Sequence, residues 1–257
     1  MYDDHHDARG PGLRTPVRNS YFYGQLLGVA NLELEAGYGI GHRRLLNRLV
    51  LGWGVICGLG VEAHQDGERI RVLPGVAIDG WGRELIVPDT TPWMQVPPEL
   101  LEASVQRGRD CKEDPCVQVL ICYHECRGDP QPVHAGDCDT ADPCAPSTLS
   151  ERYRIEFRER CAKRRRSSCR IPDLLDRDGL DHDQLAEWVT EERECVRLPR
   201  DACVPLANIS VTDDGGPHCN HREIDIGVRP VLASNVVLME LVLALLERDR
   251  GRREQEY

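Results

Sequence analysis

Apolar residues rise above the polar background only from Ser20 onward, and their period changes along the chain. Leu32, Leu34, Ile40, Leu45, Leu46, Leu49 and Val50 follow an imperfect helical spacing that Gly37, Gly39 and Gly41 interrupt. Each glycine costs a helix interior about 1 kcal/mol against alanine, so the pattern predicts two helical pieces or a kink, with Arg43 to Leu51 the firmer half. Short apolar runs then follow: Gly54 to Ala63, Arg69 to Pro74, Gly75 to Ile78 and Arg83 to Val87 read as strands. Gln65-Asp66-Gly67 and Asp79-Gly80-Trp81-Gly82 punctuate them, and Asp-Gly is a good hairpin signal. The prediction is a helix that leads into an antiparallel meander.

Pro97-Pro98 opens a helix over Pro98 to Gln106. Val117 to Tyr123 reads as a buried strand, and Cys126 to Pro146 as a long loop rich in Asp, Pro and Gly. A loop of that length inside a compact domain needs a staple or a partner. Tyr153 to Phe157 alternates as a strand, while Asp183 to Cys195 reads as a polar helix started by Asp181-His182-Asp183. Val204 to Val211 and Glu223 to Val228 form a last hairpin across Asp213 to Gly216. The final helix is capped near Ser234, and from Val236 to Leu246 every position except Glu240 is apolar. Its two stripes, one through Val237, Leu241, Ala244 and Leu245 and one through Leu238, Val242 and Leu246, call for both a core and a partner.

The fold class is therefore α+β: an N-terminal helix, an antiparallel β meander, a Cys-rich loop region, then a C-terminal hairpin and apolar helix. Residues 1–19 read as a flexible N-terminal arm suited to strapping a neighbour. Residues 20–97 form the helix and meander, and 98–257 a Cys-rich α+β region packed on the first. No internal repeat is present, and no heptad persists long enough for a coiled coil.

Composition narrows the class of function. The share of apolar residues is 40%, aromatics are only 5% and charged residues 29%, so long stretches must be solvated loop or helix face. A net charge of −11 repels nucleic acid and anionic membrane. The one basic run, Lys163-Arg164-Arg165-Arg166, carries no aromatic residue and reads as a solvated loop. MYDDHHDARGPG is not a secretory signal, because it has acid and no apolar core. No stretch reaches the ~18–20 apolar residues of a membrane helix. The expectation is cytoplasmic synthesis, no nucleic acid partner and no membrane insertion; release as part of a larger particle would need no signal of its own.

Twelve cysteines are the main chemical oddity. In a cytosolic chain they argue for metal ligands or free core thiols before disulfides. The spacings, C-x4-C at Cys111 and Cys116, C-x3-C at Cys122 and Cys126, C-x5-C at Cys138 and Cys144, and C-x7-C at Cys161 to Cys169 and Cys195 to Cys203, include no tight C-x2-C. On one strand Cys122 and Cys126 would lie about 13 Å apart, beyond disulfide reach. Cys126 can instead meet Cys138 or Cys144 by return of the loop. Cys126, His134, Cys138 and Cys144 together make a four-ligand candidate for structural zinc, with disulfides or free thiols as the alternative. His218, Cys219 and His221, beside the last hairpin, form a second and weaker metal candidate. Neither group has the base or the open three-ligand arrangement that catalysis needs. G-x-S-x-G, H-E-x-x-H and G-x-x-x-x-G-K-[ST] are all missing from the sequence, so the expectation is no enzyme.

Gly52, Trp53, Gly54 and Gly58 sit in GWGVICGLG. A phosphate loop lies between a strand and the helix it opens, whereas here the helix precedes the glycines and strands follow. Gly52 and Gly54 read as a helix exit over Trp53, and Gly58 and Gly60 as a bend or bulge. They mark a structural corner.

The stretch Tyr21 to Val87 carries a Tyr-Phe near Gly24-Gln25-Leu26-Leu27, a basic helix ending in Asn-Arg-Leu, then Gly-Trp-Gly-Val to Gly-Leu. Pro74-Gly75-x-Ala77-x-Asp79-x-x-Gly82-Arg83-Glu84 follows. In combination these resemble an uncharacterised structural protein family from gene clusters of phage-tail-like, extracellular contractile injection systems. The resemblance continues at Tyr123, Glu125, Cys126, Asp129, Pro130 and Pro132, at Cys144, Pro146 and Ser147, and at Val204-Pro205-Leu206-Ala207. It implies a non-enzymatic structural part of the particle, at the baseplate or another end-of-tube position. Implied partners are tube, sheath, baseplate or spike proteins, in a symmetric assembly of several copies. The rival reading is a zinc- or disulfide-stabilised binding module that adapts cargo or effectors.

Overall fold

The computed structural model describes residues 13, 15–111, 114–132, 144–164, 181–192, 198–213 and 216–255. The class is α+β, with an N-terminal helix followed by antiparallel strands in sheets and further helices. Helix α1, Val29–Leu46, runs unbroken through Gly37, Gly39 and Gly41, so the predicted interruption does not occur. Glycine weakens a helix without forbidding it. The irregularity comes at the end instead, as a π-helical turn over Asn47–Leu51. Gly52 stops it with φ 90°, and its N–H donates to the Asn47 carbonyl at 2.8 Å.

The predicted strand from Gly54 to Ala63 is two strands in two sheets. β1 (Gly54–Gly58) joins β4 (Gly75–Ile78) and β5 (Glu84–Val87), whereas β2 (Val61–Ala63) joins β3 (Arg69–Val72) and β6 (Met94–Gln95). The switch falls at Gly58 and Leu59, with φ of 64° and 57°. Leu59 is fully buried there, and its N–H donates to the Pro74 carbonyl at 3.0 Å. The meander is thus two interleaved antiparallel sheets.

Helix α2, Pro98–Cys111, leads to a four-stranded antiparallel sheet ordered β10-β9-β7-β8. Its strands are β7 (Cys116–Pro132), β8 (Cys144–Arg158), β9 (Val204–Thr212) and β10 (His218–Asp225). Much of the predicted loop is strand: β7 and β8 stay paired from Gln118 opposite Arg158 to Pro132 opposite Cys144. Only 133–143 is left of it, outside the described residues. β9 pairs with β7 only as far as Ile121, so from Tyr123 on the ribbon leaves the core and takes on the polar composition of a loop. Asp129 pins it, accepting from Ser147 Oγ at 2.7 Å through its carbonyl and from Thr148 Oγ1 at 2.8 Å through its carboxylate.

One apolar cluster runs from Val55, Leu59, Ile70 and Leu85 through Leu101 to Val119, Ile121, Leu206 and Ile209. Each such side chain contributes about 1.5–3 kcal/mol by leaving water. Helix α3, His182–Glu187, is capped by Asp181, whose carboxylate accepts from the Asp183 and Gln184 N–H groups. The chain then reaches α4, Asn235–Gln255. α1 places no residue in the buried core, and α4 is exposed at every position from 235 to 248. No described helix is long and apolar enough to cross a membrane.

Candidate assembly surface

Gly54 is where the two exposed helices meet the core. The end of α1 arrives through Gly52 and the partly buried Trp53. The segment leading into α4 crosses the same spot, with the Val55 N–H donating to Pro230 O at 2.8 Å and the Leu232 N–H to Val55 O at 2.9 Å. Gly54, at φ 141°, leaves no room for a side chain: a Cβ would stand 2.4 Å from Pro230 O. Gly58 is as tight, its virtual Cβ 2.1 Å from Pro74 O. The structural corner therefore roots both helices on β1.

The Pro74 to Glu84 segment builds the seat of α1. Asp79, fully buried, accepts from the Trp81 N–H at 2.8 Å, the Arg83 N–H at 2.9 Å and Arg83 Nε at 2.6 Å. These bonds close the turn after β4. Gly82, at φ 81°, presents bare backbone to the helix: a Cβ would lie 2.1 Å from Arg44 O. Asn47 Nδ2 donates to the Gly82 carbonyl at 3.0 Å and to Glu84 Oε1 at 2.8 Å. Arg43 Nε adds an ion pair to Glu84 at 3.0 Å.

Tyr123 at the ribbon's base completes the seat. The Arg83 guanidinium lies 4.3 Å from its ring centroid and that of Arg44 5.5 Å. The hydroxyl donates to Glu125 Oε1 at 2.9 Å. Burial, with the carboxylates of Glu125 and Glu151, raises its pKa, so it stays a neutral donor. Arg44 reaches Glu151 at 3.6 Å and Arg43 reaches it at 3.7 Å. Alternating charges thus clamp the C-terminal end of α1 between β5 and the ribbon. At its other end Val29 and Leu32 are exposed, as are Phe22 and Leu26 in the segment that leads into it, Leu26 at 91%.

Among the described residues the cysteines are either bonded in pairs or free. Cys116 is bonded to Cys161 and Cys122 to Cys203, with Cα separations of 5.8 and 4.5 Å. Cys126 lies opposite Ser150 and Cys144 opposite Pro132. Six ladder steps of about 3.3 Å hold those two about 20 Å apart, too far to share one zinc with its ~2.3 Å bonds to sulfur. Both are free thiols; His134 and Cys138 lie outside the described residues. His218 and Cys219 are in strand β10 of the last hairpin. Both His218 ring nitrogens have partners, Thr212 Oγ1 at 3.1 Å and Gly216 O at 2.9 Å. Cys219 is fully buried in the apolar cluster, and that burial raises its pKa from 9.0 to about 11. Nothing is described of the His221 side chain. Among the described residues Cys122, Glu156 and Cys203 bring their ligand-type atoms within 4.8 Å of one another. The two sulfurs there are bonded together, and Arg154 and Arg158 hold the Glu156 carboxylate.

No signal in the sequence paired Cys122 with Cys203 or set Tyr123 against Arg44, because those partners are 81 and 79 residues apart. No protein-family model matches the chain, and no curated protein matches it. Among solved structures, it is similar to a chain of the baseplate complex from the type VI secretion system, at 12% identity and a TM-score of 0.41, over 94% of this chain and 69% of that one. A chain of the TssK-TssF-TssG baseplate subcomplex, seen by cryo-electron microscopy, matches at the same identity and TM-score over 94% and 71%. A correspondence this loose assigns neither a family nor a role.

Proposed function

We propose that this chain is a non-enzymatic assembly component of a phage-tail-like contractile injection particle, placed at the baseplate or another end-of-tube position. The carrying observation is the rooting of two exposed helices with apolar side chains on one hydrogen-bonded corner. The residues that give the sequence its resemblance to injection-system proteins, Asp79, Gly82, Arg83 and Glu84, are those that seat α1. That motif therefore encodes how a helix is presented to a neighbour. Tube, sheath, baseplate or spike proteins are the partners this reading names. The disulfides Cys116–Cys161 and Cys122–Cys203 favour, as a second reading, a disulfide-stabilised adaptor for cargo or effectors.

Particles purified from cells that carry the gene cluster, with this chain tagged, provide the test. The chain should be a fixed-stoichiometry component, and Leu26→Glu with Val29→Glu should release it while its fold persists. Recovery only as free protein, or only with soluble cargo, would overturn the baseplate reading; the second outcome would support the adaptor.

A further inference from the structure

We infer that α4 is a self-association helix, through which three or more copies of this chain bundle along Val236–Leu246. This rests on the assembly reading above, and names one partner in it as the chain itself. The large apolar side chains of that segment are between 44% (Val237) and 71% (Val236) exposed. Nine residues at about half exposure offer on the order of 800 Å² of apolar surface, as much as each partner gives to a stable interface. The largest apolar patch of a typical monomer is only about 300–600 Å².

The distribution of these side chains identifies the occupant. At 100° per residue, Val236, Val237, Leu238 and Met239 already point in four directions, and Leu241 to Leu246 fill the gaps. A helix that lies in a groove, or flat on a membrane, shows one apolar and one polar face. α4 has no polar face before Glu247, since Glu240 is its one charge. Spanning is also excluded for this segment, because its length of about 16 Å is half a bilayer core. A single helical partner would cover one side only, so neighbours on several sides are needed, and like helices supply them. Next comes Glu247-Arg248-Asp249-Arg250-Gly251-Arg252-Arg253-Glu254, which mixes three acids with four arginines. Copies side by side there can pair their charges, although the whole chain carries −11.

Sedimentation velocity of the purified full-length chain tests this apart from any particle protein. The wild type should sediment as a species of three or more copies. Leu241→Glu with Leu245→Glu, and separately Leu238→Glu with Val242→Glu, should weaken association at least about 100-fold and leave monomers. The thermal unfolding of the disulfide-linked core should not change. If glutamate variants fail to fold, the corresponding glutamine variants make the same comparison. A monomeric wild type would overturn the inference, as would variants that keep their copy number, or a monomer that instead binds anionic vesicles through α4. A chain that self-associates but never enters particles would leave this inference standing and remove the particle reading.

Discussion

Gly82 and Gly39 show how differently two glycines act. At Gly82 the backbone has φ 81° and a Cβ would meet Arg44 O at 2.1 Å, so Gly82→Ala combines left-handed strain with loss of the seat. It should cost about 2–4 kcal/mol in denaturant unfolding and raise hydrogen exchange at the end of α1. Gly39 has nothing within 4 Å of its virtual Cβ. Gly39→Ala should therefore add helix content to α1, seen by circular dichroism, and stabilise that helix by about 0.5–1 kcal/mol. Cys219 makes a pH prediction. Its folded pKa of about 11 lies above the ordinary 9.0, so below pH 9 the thiol is protonated in both states and stability is unaffected. Between 9 and 11 the unfolded chain gives up the proton that the folded chain keeps, and stability falls as pH rises. Cys219→Val should flatten that alkaline decline relative to wild type.

Among the elements, the β7–β8 ribbon departs furthest from its sequence pattern. Its inner half obeys burial, with Val117, Val119 and Ile121 fully buried, and reads as a strand. Its outer half has only β8 for a neighbour, so Arg127, Gly128, Asp129 and Pro130 carry no burial signal. The cysteine bridges tie the inner half to the segments just after β8 and just before β9. Cys122–Cys203 closes a separation of 81 residues, for which chain entropy gives about 4 kcal/mol. Cys203→Ala should lower unfolding stability by about 2–4 kcal/mol under oxidising conditions and by far less with reductant present. Intact mass without reductant should be lower by two hydrogens for each bridge, and metal analysis of the same sample reports on zinc directly.

Across the whole molecule, net acidity coexists with exposed apolar side chains. The acidic chain is −11 overall, while most exposed large apolar side chains of the described residues lie in the segment leading into α1, at its start, and along α4. A monomer that exposes this much apolar helix is expected to associate. Removal of the apolar exposure on both helices together, by Leu26→Glu, Val29→Glu, Leu241→Glu and Leu245→Glu, should leave a soluble monomer with the core's thermal transition intact. Light scattering checks the mass, and near-ultraviolet circular dichroism checks Trp53 and Trp81 in their packed sites.

The sequence by itself determined the local elements: the helix before GWGVICGLG, the strands after it, the Asp79 to Gly82 turn, the class α+β, and the last hairpin except that its second strand lies at His218–Asp225 rather than from Glu223 to Val228. Those depend on period, turn residues and caps, which act over a few residues. Tertiary structure alone decided that Gly58 and Leu59 send one apparent strand into two sheets, and that β7 and β8 pair beyond the core. It also separated Cys126 from Cys144, bonded Cys122 to Cys203, and set Arg44 and Arg83 around Tyr123. Each of these is a contact between distant positions, and no local pattern specifies which of many apolar strands, thiols or charges a residue will meet. Helix α4 states the difference most simply: its composition shows that it must be covered, and only the fold shows that the described core leaves it bare.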